Sequence, residues 1–298
     1  MASADAQDFE QHRQRLTGLA YRMLGSLAEA EDVVQDAWLR WDRAARTDVE
    51  APGAFLSRVV TRLCLDRLKS ARRTREIYVG PWLPEPLVSD AALTAEPVED
   101  LAHDVSFALM LALERLSPLE RAAFLLHDVF ELDFAEVAGA LGRTEAACRQ
   151  LASRARANVQ TDRPRFTLPP DEGERIATAF FAATRTGDVG ALRGLLADGA
   201  VLQSDGGGRR RAALNPILGA ERISRFYAGI QRKAGPPLWQ ERVSINGLPG
   251  RASLEFDGTL QTIALEIAEG RIRAVYVTRN PDKLRHLLAR LPAGLQPS

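Results

Sequence analysis

Cysteine is almost absent from this chain of 298 residues: Cys64 and Cys148 are the only two, far apart, with no CxxC pair. That spacing argues against a disulfide framework and a metal centre, and it suits a reducing cytoplasm. No metal and no cofactor is expected. Long apolar runs are lacking too, and none approaches the roughly 18 residues that a membrane-spanning helix needs. The opening stretch MASADAQDFEQHRQR has no basic start followed by an apolar segment, so no signal peptide and no membrane association is expected. Net charge is missing as well, with 39 basic against 39 acidic residues. What remains is an ordinary globular composition, 46% apolar and 26% charged, on a chain long enough for two domains or more.

The zero net charge conceals local segregation. Residues 58–75 carry seven basic side chains against the single acid Asp66, and residues 143–165 carry six arginines against Glu145 and Asp162. Residues 29–36 hold four acids and no base. Charge separated in this way suggests several partners of different sign, although solvated helix faces give the same pattern.

Residues 1–166 read as almost wholly helical. Leu16, Leu19, Ala20, Met23 and Leu24 recur at helical spacing, as do Val33, Val34, Ala37, Trp38 and Trp41. At that spacing the two tryptophans belong to a core. A third helix starts at Phe55, after Pro52-Gly53, and its basic residues share an outer face. Residues 80–90, GPWLPEPLVSD, hold three prolines and cannot form a regular helix. Residues 79–96 are therefore expected to link two helical domains, 1–78 and 97–166. Trp82 and Leu83 are costly to leave in water, so this linker should dock on something.

In the second helical domain, a short helix over Asp133–Leu141, a turn at Gly142, and a helix from Glu145 capped by Thr144 predict a helix-turn-helix. One helix fits the major groove of DNA, where side chains read base edges. Ala147, Leu151 and Ala155 should face inward, leaving Arg149, Gln150, Ser153 and Arg154 outward, with Arg143 and Arg156 placed for phosphates. In the first domain Asp32, Gln35, Asp36, Leu39 and Arg40 make a mixed polar strip suited to a basic helical partner.

The stretches AEDVVQDAWLRW, FLSRVVTRLCLDRLKSARR and LSPLERAAFLLHDVFELDFAEVAGALGRTEAACRQLASRARANV, in that order, resemble the extracytoplasmic-function sigma factors of bacteria over residues 9–160. The resemblance implies that Asp32, Gln35, Asp36 and Leu39 grip the clamp helices of the largest subunit of RNA polymerase core. It implies that Arg58, Arg62, Arg67, Arg72 and Arg73 bind the minus-ten element of promoter DNA. It also implies that the helix-turn-helix, through Arg143, Thr144, Arg149, Gln150, Ser153 and Arg154, reads the minus-thirty-five element.

From residue 167 the character changes. A helix over Arg175–Arg185 and a short one near Asp188–Leu196 precede strand-like runs at Ala200–Gln203, Leu238–Ile245, Ala252–Phe256, Leu260–Ile267 and Ile272–Val277. The pairs Asn246-Gly247, Asp257-Gly258 and Glu269-Gly270 separate the later runs. A curved antiparallel meander and a last helix from Pro281 are expected, giving an α+β domain over 167–298. This domain resembles a SnoaL-like cone, which a sigma subgroup carries as a fusion. The resemblance rests on Trp82–Pro86, on Asp205, Gly206, Gly207 and Gly208, and on Asn280–Leu284. Arg209 stands where the subgroup has lysine. It implies a regulator in cis, with Trp82, Leu83, Pro84, Arg209, Asn280, Asp282 and Lys283 among the interdomain contacts.

VLQSDGGGRRRAALNPI is neither a GxxxxGK[ST] loop nor a GxGxxG turn. It reads as a hairpin whose tip, Asp205–Gly208, is tight and exposed. The only histidine after residue 166 is His286, and Glu255 and Glu266 alternate with apolar residues, so no acid–base pair stands out and no enzyme is expected. An emptied cone could still take a small-molecule ligand. Two other classes fit parts of the pattern: a ligand-responsive helix-turn-helix regulator, and a SnoaL-type enzyme with a DNA-binding fusion.

Overall fold

The computed structural model describes residues 4–43, 51–75, 78–90, 106–160 and 170–297. The chain divides into two compact units, one made of residues 1–77 and 98–163, the other of 78–97 and 164–298.

The first unit is helical. α1 (Ala4–Leu24), α2 (Leu27–Asp42) and α3 (Pro52–Arg75) pack together. The Ser26 hydroxyl caps α2 by accepting from the Glu29 amide, and Val33, Val34, Ala37 and Trp41 form its buried face. Trp38 meets Phe9 edge-on at 5.0 Å and Trp41 lies 5.8 Å from Phe55, so both tryptophans are packing residues.

α4 (Phe107–Glu114), α5 (Pro118–Phe124), a wide turn at Leu125–Val129, α6 (Phe134–Leu141) and α7 (Glu145–Gln160) complete this unit. The Asp133 carboxylate accepts from the Glu136 amide at 2.8 Å and Glu136 returns the bond at 3.0 Å, which starts α6. Gly142, at φ 62°, ends it. The Thr144 hydroxyl then accepts from the Ala147 amide at 3.3 Å to start α7. The inward face of α7 is Cys148, Ala152, Ala155 and Val159. Ala147 and Leu151, expected inside, are half-buried, because the contact face is rotated by about one residue.

The second unit is α+β. α8 (Pro170–Thr186), α9 (Val189–Leu195) and α10 (Ala220–Gln231) pack on a seven-stranded sheet of order β1-β4-β5-β6-β7-β2-β3. The strands are β1 (Val88–Asp90), β2 (Leu196–Asp205), β3 (Ile217–Leu218), β4 (Trp239–Ile245), β5 (Leu248–Leu254), β6 (Leu260–Ala268) and β7 (Arg271–Thr278). Phe180, Phe181, Leu192, Leu202, Tyr227, Leu265 and Val275 belong to the core between helices and sheet. Asn246 and Gly247 both have positive φ, as do Glu269 and Gly270, which suits two-residue loops between twisted strands. The result is an α+β cone of sheet and helices, with a cavity of about 680 Å³.

Four expectations are corrected. The sheet is not a pure meander, since β2 runs parallel to β7. No tight hairpin follows β2: its antiparallel partner β3 begins only at Ile217. The C-terminal stretch forms two 3₁₀ turns, Pro281–Lys283 and Arg285–Arg290, in place of an α-helix. α10 lies in a stretch where no helix was expected, although Ile223, Phe226, Tyr227 and Ile230 recur at helical spacing there.

Candidate functional site

The residues singled out in the sequence fall on three surfaces and one buried cluster. On α2 the side chains of Asp32, Gln35, Asp36, Leu39 and Arg40 are all exposed, Leu39 at 47%. Arg67 of α3 reaches across to this strip, 3.3 Å from Asp36 and 3.5 Å from Asp32. Arg67, expected to face the minus-ten element, is thus tied to the acidic strip. Exposed pairs of this kind contribute about 1 kcal/mol at most, so a basic partner helix could displace it.

On α3, Arg58 is exposed and lies over the ring of Phe55 at 5.4 Å. Arg62 donates to the Gly139 carbonyl at 2.9 Å and the Ala140 carbonyl at 3.2 Å, and so is engaged by the last turn of α6. The side chains of Arg72 and Arg73 lie outside the described residues. Beneath this face Cys64 is fully buried, and burial raises its thiol well above the ordinary value, so it is an inert packing residue.

On α7 and its cap Arg143, Thr144, Arg149, Gln150, Ser153 and Arg154 are all exposed on one side. Arg149 pairs with Glu145 at 2.7 Å and lies over Phe134, and Arg154 pairs with Glu120 of α5 at 2.7 Å. Gln150 and Ser153 stand between these arginines. Arg156 differs from its expected phosphate role: it is bound to Asp128 at 2.5 Å on the inner side of the helix.

The buried cluster centres on Asp205, the last residue of β2, which has no exposed surface. One carboxylate oxygen accepts from the Tyr78 hydroxyl at 2.5 Å and the Gly207 amide at 3.0 Å. The other accepts from the Leu83 amide at 2.9 Å and from Lys283 Nζ at 2.7 Å. Lys283 also donates to the Leu83 carbonyl and sits 4.3 Å over the ring of Trp82. Asn280 donates to the Tyr78 oxygen at 2.9 Å. Burial, then the hydrogen bond to Asp205, raises the Tyr78 phenol above its ordinary value, so it stays a donor.

The glycines beside Asp205 serve this packing. Gly207 has φ 58°, and a Cβ there would collide with the Asn280 amide. Asp205 was expected at an exposed tip; it is instead fully enclosed, and four donors converge on it. Arg209 pairs with Asp282 at 3.3 Å on the surface above.

The stretch 78–90 is therefore part of the C-terminal unit. Leu83, Pro84, Glu85 and Pro86 are buried, and β1 extends the sheet by pairing Val88 with Ile245 and Asp90 with Val243.

Comparison with known proteins agrees with this division. The family model for sigma-70 region 2 matches residues 9–74, and that for sigma-70 region 4 matches residues 106–159. The chain is 38% identical over 291 residues to the ECF RNA polymerase sigma factor SigJ of Mycobacterium tuberculosis, covering 94% of this chain and 93% of that one. The chain belongs to the extracytoplasmic-function RNA polymerase sigma factors. This sigma factor is also 32% identical over 288 residues to the probable sigma factor SigI of the same organism, covering 95% and 96% of the two chains. The crystal structure of the M. tuberculosis SigJ superposes with a TM-score of 0.75 at 36% identity, covering 94% of this sigma factor and 98% of that chain. These relatives are sigma factors, which are not enzymes.

One residue of the buried cluster, Tyr78, escapes a motif-based reading of this sigma factor, since it precedes the proline-rich run. Glu85, inside the Trp82–Pro86 run, faces His286, with Nδ1 3.5 Å from Oε1. The available signal was the aromatic pair Tyr78 and Trp82, four residues apart, just where helical periodicity ends.

Proposed function

We propose that this sigma factor holds polymerase core through Asp32, Gln35, Asp36 and Leu39, and the minus-ten element through the basic face of α3. In this reading α7 presents Arg149, Gln150, Ser153 and Arg154 to the minus-thirty-five duplex, with Arg143 and Thr144 on the flanking phosphates. The C-terminal cone regulates both in cis by capturing the chain that joins the two sigma regions. Acting on polymerase, it works in the cytoplasm.

The observation that carries the regulatory part is the enclosed Asp205. It binds the Leu83 amide and the Tyr78 hydroxyl of the connecting chain while Lys283 neutralises it from the other side. Removing one partner of a buried pair costs about 3–5 kcal/mol, so the cluster is a strong latch.

Run-off transcription with core polymerase tests this. Asp32→Ala with Asp36→Ala should lower core affinity and output together. Asp205→Ala should change output several-fold at unchanged core affinity for isolated region 2 contacts, and should expose the 78–90 stretch to protease. Cleavage there with output equal to wild type would make the cone a passenger.

A further inference from the structure

The cavity of the cone is not a uniform apolar void. Phe226, Ile230, Ile263 and Val277 line one part of it, and Phe256 and Ile230, 48% and 44% exposed, stand at its edge. The other part is polar and unusually rich in unsatisfied donors. The Tyr227 hydroxyl is buried and has no hydrogen-bond partner among the described residues. The Nε atoms of Arg251 and Arg279 are buried and equally without partners.

Arg251 is the centre of this end. Its guanidinium lies 4.6 Å over the ring of Phe181 and donates to Gln240 at 3.2 Å, and it forms no ion pair among the described residues. Burial lowers its pKa, which marks a charge held away from water without full compensation. The nearby Glu255 offsets that only in part: it makes no ion pair with Arg251 among the described residues, and one of its oxygens is taken by both Ser253 and Gln261 at 2.6 Å. Asp257 faces Arg279 at 3.8 Å. Four arginines line the cavity against two acids, so its field favours an anion.

The geometry points to a binding site for a small amphiphilic carboxylate, its apolar body against Phe226, Ile263 and Val277 and its carboxylate on Arg251 and the Tyr227 hydroxyl. A cavity of about 680 Å³ suits a ligand of this class. The carboxylate supplies the missing counter-charge and accepts from the orphan donors, and the apolar wall excludes small inorganic anions from competing on equal terms. The Glu255 carboxylate borders the cavity, where its two donors hold it in place.

Calorimetric titration of the full chain with 2-naphthoate, and with 2-naphthalenemethanol as the same body without charge, tests the site. Naphthoate should bind at least tenfold more tightly than the alcohol. Arg251→Met should bring naphthoate down to the level of the alcohol. Tyr227→Phe, which removes only an unpartnered hydroxyl and so keeps the fold, should weaken naphthoate several-fold and leave the alcohol unchanged. Equal binding of the two probes, no binding of either, or full naphthoate affinity in Tyr227→Phe would overturn the assignment. The readout is binding alone, so its failure would leave the regulatory role of the linker latch standing.

Discussion

At the scale of single residues, Glu120 joins stability to the face proposed to read DNA. One oxygen accepts from both the amide and the hydroxyl of Ser117, closing the capping box of α5, and the other accepts from Arg154. The Ser117 hydrogen bond, then Arg154, lowers the Glu120 pKa. A depressed carboxylate contributes stability that is present above its unfolded pKa and lost as pH falls through the folded one. Glu120→Gln should therefore cost about 1 kcal/mol at neutral pH, typical of a lost cap. Thermal unfolding followed across pH should show that difference shrinking to nothing in acid. The same variant frees Arg154 for DNA, so promoter binding should hold or tighten while stability drops. The Ser117-Pro118-Leu119-Glu120 cap was legible in the sequence because its partners lie within four residues. The Arg154 pairing was not, since it joins positions 34 apart. Asp205 was misread for the same reason: its donors come from residues 78, 83 and 283, and no local pattern announces them.

At the scale of elements, the first unit is closed by arginines that reach backbone carbonyls. Arg62 of α3 caps the last turn of α6, and Arg15 of α1 donates to the Phe130 carbonyl at 2.5 Å. Arg121 of α5, drawn down by burial to about 10 and so still charged at neutral pH, donates to the Met23 carbonyl at 2.6 Å and pairs with Glu114 at 3.0 Å. Arg62 cannot cap α6 and hold promoter DNA at once. Arg62→Ala should loosen the unit by about 1–2 kcal/mol, in line with hydrogen bonds from a charged donor. Native-state hydrogen exchange should show faster opening of α6, and core polymerase should bind faster, if closure limits access. Slower exchange or unchanged association would show that this cap does not gate the unit. The helix-turn-helix itself was readable from Asp133, Gly142 and Thr144, whose roles are local. The parallel pairing of β2 with β7 and the edge strand β1 were not, because each joins segments roughly 70 or more residues apart.

At the scale of the whole molecule, distance makes demands on the first unit. If α3 and α7 hold their promoter elements together, they must stand about 85 Å apart, given about 25 base pairs at roughly 3.4 Å each. A compact body of roughly 140 residues has a radius of gyration of only about 15 Å. On that proposal the unit parts on promoter-bound polymerase. Dyes on α2 and α7 should report a separation larger by tens of ångströms in the complex than in the free chain, and an unchanged transfer efficiency would sink this. The connecting chain from α3 to α4 can span about 100 Å when fully extended at roughly 3.3 Å per residue, but residues 78–90 are held in the cone and withdraw part of that reach. Ser204 and Arg279 border the cavity, while their neighbours Asp205 and Asn280 hold the linker, and the Asp205 carbonyl accepts from the amides of both Arg279 and Asn280 at 2.7 and 3.0 Å. Occupancy and latching thus share one pair of strands. Thermodynamic coupling has no preferred direction. By whatever factor a bound carboxylate tightens the latch, tearing the linker free would weaken that carboxylate's grip, so each round of initiation would reset the sensor it had answered to.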